Sequence, residues 1–264
     1  MRFGFASAQE IGGRDDQQDR CAVMRGPNQA LLVVADGMGG HAGGAVAAQA
    51  IIDVTADAWR RAEGRVPDPA RFLGDLVAEA HHAVNRRGEE LGCAPRSTMV
   101  ALHLAAETGA TWCHVGDSRL YRFRNGRPVG CTRDHSVAQL MLDLGELEES
   151  EMAGHPGLAR LIRCMGGEDA PEPVIDAANL SDGDAFCLCT DGLWAVIEGK
   201  EIATRLVEVP LERTIRALVG EAVARGGADC DNVTAVVAKG NAYGESLLRR
   251  VVAAVVSANA RGIW

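Results

Sequence analysis

Leu31-Leu32-Val33-Val34-Ala35-Asp36-Gly37-Met38-Gly39-Gly40-His41 is an apolar, partly β-branched run that ends on an aspartate and passes into glycines. A short run of this kind reads as a buried strand with Asp36 at its polar end. Three more aspartates flank similar runs: Asp19 before residues 20 to 25, Asp191 after Ala185-Phe186-Cys187-Leu188-Cys189-Thr190, and Asp231 just ahead of Val233 to Val237. Buried strands would bring these carboxylates to one edge of a core. Two carboxylates about 4 Å apart repel by roughly 4 kcal/mol at an effective dielectric near 20. Convergence therefore calls for hard divalent cations, and Mg²⁺ and Mn²⁺ prefer carboxylate, carbonyl and water oxygens.

Outward from this run, strand and helix signals come in blocks. Residues 2 to 8, 20 to 25 and 30 to 36 read as β, with Gly26-Pro27-Asn28 as a turn. Helical periodicity follows from Ala45 to Ala62, with a stripe of Ala47, Ile51 and Ala58. It continues from Pro69 to Glu90, with Phe72, Leu76, Ala80 and Val84. Strand patterns return at Met99 to Leu104, Thr111 to Val115, Leu120 to Arg124 and Pro128 to Thr132, the last two joined by Asn125-Gly126, a hairpin signal. Residues 134 to 183 combine a predicted helix with Gly and Pro punctuation and few strand features. A strand at 184 to 190, helices at 199 to 208 and 210 to 225, and a strand at 233 to 238 complete the pattern. Blocked strands and helices predict an α+β layered sandwich instead of a doubly wound sheet.

The chain has 264 residues, 47% hydrophobic and 24% charged, enough for one large core. A net charge of -9 argues against nucleic acid as a partner, although bound cations would reverse the field locally and admit phosphorylated ligands. The eight cysteines are scattered, without a Cys-x-x-Cys pair, and are read as inert core thiols in a reduced, cytoplasmic protein. Met1-Arg2-Phe3-Gly4-Phe5 does not open an apolar signal stretch, and no run is long enough to span a membrane.

Gly37 can offer its carbonyl to a cation, since glycines let the backbone approach a ligand closely; an Asp-Gly pair alone is more often just a turn. Arg14 can present a two-pronged donor to a phosphoryl group, or be a solvated loop residue. Gly116-Asp117-Ser118-Arg119 links two strands and is either a hairpin corner or part of the site.

Taken together and in order, Arg14…Gln18-Asp19, Asp36 to His41, Arg96-Ser97-Thr98, Gly116 to Arg119, Arg133-Asp134-His135-Ser136, Thr190 to Trp194 and Asp231 to Thr234 resemble the motif series of the metal-dependent type 2C serine/threonine protein phosphatases, in the compact bacterial form. The resemblance implies a four-layer α-β-β-α sandwich with two central antiparallel β-sheets flanked by helices. It assigns residues 1 to 240 to a catalytic domain with a flap at about 137 to 166, and 241 to 264 to a C-terminal helical extension that docks, self-associates or packs on its own domain. It implies Mn²⁺ or Mg²⁺ ions, two per chain with a third, weaker site. Asp36 would bridge two metals with a water. Asp19, Asp191, Asp231 and the Gly37 carbonyl would complete the shells, Asp117 would serve the third ion, and Arg14 would hold the phosphate. His41 is the candidate general acid, and Gln18 departs from the glutamate of many relatives. Phosphorylated proteins and an opposing serine/threonine kinase would be the partners. Two alternatives stand beside this reading. One is a catalytically silent phosphoprotein-binding member. The other is a cysteine-dependent phosphatase, because Cys113-His114-Val115-Gly116-Asp117-Ser118-Arg119 also fits Cys-x-x-Gly-x-x-Arg, although no helix start follows to lower the thiol pKa.

Overall fold

The computed structural model describes residues 3–38, 43–207 and 210–240; His41 and the 241–264 extension lie outside them. In chain order the strands β1 Phe3–Glu10, β2 Asp19–Arg25 and β3 Gln29–Met38 precede helices α1 Gly43–Arg61 and α2 Pro69–Leu91. Then come β4 Arg96–Ser97, β5 Met99–Ala105, β6 Gly109–Val115, β7 Arg119–Arg124 and β8 Arg127–Cys131. The short helices α3 Val137–Asp143 and α4 Glu149–Met152 lead to β9 Val174–Ala178 and β10 Asp184–Cys189. Helices α5 Asp191–Trp194, α6 Gly199–Arg205 and α7 Leu211–Gly226 lead to β11 Val233–Gly240.

Two antiparallel sheets result, one in the order β1-β11-β10-β7-β8 and the other β2-β3-β5-β6-β9, with β4 beside β3. Strand β3 shows why the layers are four. Leu31, Val33 and Ala35 pack outward against Ile51, Leu73 and Leu76 of α1 and α2. Their alternates Leu32 and Val34 pack inward against Phe186, Leu188 and Val236 of the other sheet. A strand covered on both faces must be apolar at every position, and each such side chain contributes about 1.5–3 kcal/mol on burial. A separate cluster joins the β1-β11-β10-β7-β8 sheet to α6 and α7. The two-period alternation also decides where Asp36 points, because it shares parity with Leu32 and Val34. Its side chain therefore belongs to the inter-sheet layer, at the end of that core.

Local signals explain most boundaries. Asp68 caps α2 by accepting the Arg71 N–H at 3.1 Å, Pro69 opens the first turn and Gly92 closes it at φ 63°. Asn125 and Gly126 both have positive φ, 51° and 73°, the geometry of a two-residue hairpin turn. Other expectations need correction. Asp36-Gly37 is not a turn: β3 continues to Met38 because Gly37 pairs with Ser97 and Met38 with Arg96. The segment 134–183 contains a strand, β9, whose residues are mostly exposed and so show no alternation. The cysteines do not all lie in the core, since Cys113, Cys187, Cys189 and Cys230 are buried but Cys93 and Cys131 are exposed. No helix among the described residues is long and apolar enough to cross a membrane.

Asp184 is the buried polar anchor of this scaffold. Its fully covered carboxylate accepts from Arg124 Nε at 2.7 Å, from Arg122 at 3.2 Å and from the Ser181 N–H at 2.9 Å, tying β10 to β7 at one end of their ladder. The Arg124, Ser181 and Arg122 hydrogen bonds outweigh burial and hold its carboxyl below the ordinary carboxylate range. A depressed folded-state pKa contributes stability that is fully present above the unfolded value near 4 and is lost as pH falls through the lower, folded one. Asp184→Asn is expected to destabilise the protein by about 2 kcal/mol at neutral pH by weakening the charge-assisted hydrogen bonds that the partly exposed Arg122 and Arg124 make to this buried group. Its deficit against the parent should shrink under acid, as chemical denaturation at pH 7 and pH 3 will show; an equal deficit at both would refute the assignment.

Candidate metal centre

Asp19 and Asp36 stand directly opposite each other on β2 and β3. Like charges so placed are destabilising. The Asp36 main chain is fixed from the β5 side: its N–H donates to Thr98 Oγ1 at 3.0 Å, and its carbonyl accepts from the Thr98 N–H and the Ser97 hydroxyl, both at 2.8 Å. Asp19 is reached from the opposite sheet, where the Thr190 hydroxyl donates to Asp19 Oδ2 at 2.8 Å while accepting the Thr234 N–H at 3.0 Å. Asp19 therefore ties the two sheets together at the mouth of the inter-sheet core, with Asp36 beside it.

Above it opens a cleft of about 500 Å³ lined by Arg14, Asp36, Gly37, Asp117, Asp191 and Asp231, with Ala159 and Leu161 of the segment between α4 and β9 on one wall. Asp19 lies beneath its floor, 1% exposed, and does not line it. Asp15 and Asp16 also line the cleft, so six carboxylates face one guanidinium there. Burial, augmented by Asp19 and Asp191, raises the Asp36 carboxyl well above the ordinary range. Burial pushes Asp19 up to about 8 against hydrogen bonds from Thr234 and Thr190. Burial and then Asp191 push Asp117 up to about 8, and burial and then Asp231 push Asp191 up to about 6. Left alone near neutral pH, such a group holds protons; a divalent cation would displace them.

Do these residues fit a cation? The donor set is all hard oxygen, and Asp191 Oδ1 is buried with no hydrogen-bond partner. Gly37 and Gly44 cross so closely that a Cβ on either would overlap the other's carbonyl, which holds the Gly37 main chain against the start of α1. Among the described residues no three His, Cys, Asp or Glu side chains form a ready-made cage, so a carbonyl and water are needed beside the carboxylates. On chemistry and on the orphaned oxygen, the set fits Mn²⁺ or Mg²⁺.

Residues whose roles were not assigned from sequence hold this arrangement. Asn232 accepts the Gln18 N–H at 2.7 Å and donates to the carbonyls of Ile11 at 2.8 Å and Asp16 at 3.0 Å, while its own N–H donates to Asp231 Oδ1 at 2.8 Å. It thus clamps the 11–18 loop, which carries Arg14, onto the start of β11. The Trp194 indole donates to the Asp117 carbonyl at 2.9 Å and lies under the Arg119 guanidinium, 3.7 Å from the ring centroid. Arg119 in turn forks onto Asp134 at 2.8 and 2.9 Å. This occupies Arg119, and burial pushes the Cys113 thiol up to about 12 inside the helix-facing core. The cysteine-dependent alternative therefore has neither a thiolate nor a free arginine. Arg14 itself lies 2.7 Å from Asp231 Oδ2, in a pair 56% and 40% exposed.

A family profile described as protein phosphatase 2C matches residues 11–224. The serine/threonine protein phosphatase PstP of Mycobacterium tuberculosis is 30% identical over 236 residues, covering 86% of this chain but 43% of that protein, so the chain matches less than half of this relative's length. The structure of the Streptococcus agalactiae serine/threonine phosphatase superposes with a TM-score of 0.81 at 26% identity, covering 90% of this chain and 99% of that one. The catalytic domain of PstP in complex with two manganese ions superposes with a TM-score of 0.77 at 29% identity, covering 90% and 97%.

The electrostatics generate a counterintuitive expectation. Asp36→Asn removes a carboxyl that must take up a proton to be buried facing Asp19, a cost to folding above the unfolded value near 4, so in EDTA at neutral pH the variant should melt about 3–6 °C above the parent, corresponding to about 1–2 kcal/mol. With Mn²⁺ added the order should reverse, because the parent, with its full ligand set, gains more from binding. A variant less stable than the parent in EDTA would contradict the strained-carboxylate account.

Proposed function

The chain belongs to the protein phosphatase 2C family, and from that premise we propose that it hydrolyses phosphoserine and phosphothreonine esters on proteins, opposing a serine/threonine kinase in bacterial signalling. The observation that carries the reading is the cleft of six carboxylates and one guanidinium, which would repel a phosphoryl dianion unless cations reversed its field. Asp19, Asp36, Asp191, Asp231 and the Gly37 carbonyl would hold two Mn²⁺ or Mg²⁺ ions, and Asp117 would support a third. When bound, such ions supply Lewis acidity, bring the pKa of a water toward neutrality and offset phosphoryl charge.

The chain's own residues do the rest. Arg14 binds the phosphate; its exposed pairing with Asp231 is worth under about 1 kcal/mol, so the guanidinium exchanges readily onto a phosphoryl oxygen. Asn232 keeps Arg14 and Asp231 in register with each other. Ala159 and Leu161 present an apolar wall that sheds water from the substrate side of the cleft. Residues 1–240 form the catalytic domain, with 241–264 as an appended segment, and the free cysteines suit a reducing, cytoplasmic compartment.

The test is hydrolysis of p-nitrophenyl phosphate and of a phosphothreonine peptide with Mn²⁺. Turnover should vanish in EDTA, fall about 10³-fold or more in Asp191→Asn, equivalent to about 4 kcal/mol of barrier, and survive thiol alkylation. Manganese binding without turnover of either substrate would instead identify a silent phosphoprotein-binding member. Asn232→Ala is expected to lower kcat/KM by about 10 to 10²-fold through misplacement of Arg14 and Asp231, with Arg14→Ala acting mainly on KM. Kinetics of Asn232→Ala equal to the parent would remove its positioning role.

A further inference from the structure

Strands β8 and β9 are the last strands on the same side of their two sheets, and among the described residues neither outer edge carries a further strand. Between them lies a second groove, about 650 Å³ and mostly apolar, floored by Trp112 and Leu120. Nine large apolar side chains are exposed among the described residues, and four of them, Val129, Leu140, Ile162 and Val174, line this one groove. Exposed apolar surface gathered in one depression marks an interaction site, whereas scattered single residues do not.

The groove adjoins the cleft across the flap, although the two share no lining residue. One stretch of the flap lines both, with Ala159 and Leu161 facing the cleft and Ile162 and Arg163 facing the groove. That stretch is stitched to the segment leaving β8: Ser136 bridges Leu161, and the Ile162 N–H donates to the His135 carbonyl at 2.9 Å. Charge does not favour an ionic partner. Arg122 and Arg133 are paired with Asp184 and Asp143, and Asp134 with Arg119, leaving Arg163 and Asp176 as opposite charges on the groove wall. We propose, resting on the phosphatase reading above, that this groove binds an extended, aliphatic segment of the phosphoprotein substrate that flanks the phosphorylated residue, its main chain running along an open strand edge and its apolar side chains filling the depression.

Two phosphothreonine peptides of equal length test this, one with Ser-rich flanks and one with a Val-Ile tract on both sides, assayed on the full chain beside Val129→Glu and Val174→Glu. Both substitutions sit at exposed positions on different sheets, and unchanged melting temperatures establish that they fold. The parent should show a KM about tenfold lower for the aliphatic peptide. Each variant should abolish that preference while keeping the parent's kinetics on p-nitrophenyl phosphate and on the Ser-flanked peptide. Equal KM values in the parent, or a preference that survives in both variants, would overturn the proposal. If the parent hydrolyses no phosphoester, the phosphatase reading fails by itself, and anisotropy of the fluorescent, unphosphorylated Val-Ile peptide decides the groove. Binding lost in both variants supports it; binding unchanged by them overturns it. A parent dimer that Val129→Glu dissociates, seen by sedimentation, would also overturn it by assigning the groove to a second copy of this chain.

Discussion

Asp19 faces Asp36 across a buried strand pair, and much of the molecule can be understood as a means of keeping two carboxylates where their charge is most costly. An isolated ionised carboxylate in a low-dielectric interior is far from a stable arrangement. The neighbouring polar groups reduce that cost without cancelling it. Thr190 and Thr234 hydrogen-bond to Asp19 from the opposite sheet, while Ser97 and Thr98 grip the Asp36 main chain rather than its carboxylate. The side-chain charge of Asp36 is left for a cation to balance. The fold thus holds a site whose full stability depends on what binds there, a common compromise between stability and function.

Such a compromise needs a stiff frame. The inter-sheet core ends directly beneath the carboxylate pair, and the four-layer packing surrounds β3 on both faces with fully buried aliphatic side chains. Carboxylates on separate elements, Asp36 on β3, Asp191 at the start of α5 and Asp231 ahead of β11, hold their relative positions because the elements carrying them are locked into that core or hydrogen-bonded to it. Asn232 and Trp194 extend the same rigidity outward, to the Arg14 loop and to the Asp117 main chain. The flap side is built differently. Its helices α3 and α4 are short, few of its residues are buried, and its strand-like stretch separates the acidic cleft from the apolar groove between the two edge strands. Positioning and selection would then be divided between the acidic end and the open side of one sandwich.

Much of this was legible in the sequence, for identifiable reasons. Strand β3 could be read because burial on both faces makes every residue from Ala30 to Ala35 apolar, and α1 and α2 because one buried face imposes a helical stripe. The Asn125-Gly126 turn followed from its need for positive φ. The ordered motifs gave the carboxylate set, because each aspartate lies within or next to a regular element. Strand β9 was hidden, since an exposed edge imposes no alternation on Val174 to Ala178. The continuation of β3 through Gly37 was hidden because its two-residue partner, β4, carries no pattern of its own. The structural roles of Asn232, Thr190 and Asp184 depend on partners far away in the chain, as in the 214-residue separation between Gln18 and Asn232, and no local spacing encodes those. Cys131 was misplaced for a related reason: scattered thiols without a paired motif read as core residues, but Cys131 lies on the exposed edge strand β8.

On this reading the acidic end of the sandwich is incomplete without divalent cations. This is tested most directly by titrating the metal-free chain with Mn²⁺ in a calorimeter, using two buffers of different ionisation enthalpy near pH 7. Two ions should bind per chain, with net release of protons from the buried carboxylates. Failure to bind, or binding with no proton release in either buffer, would contradict this reading.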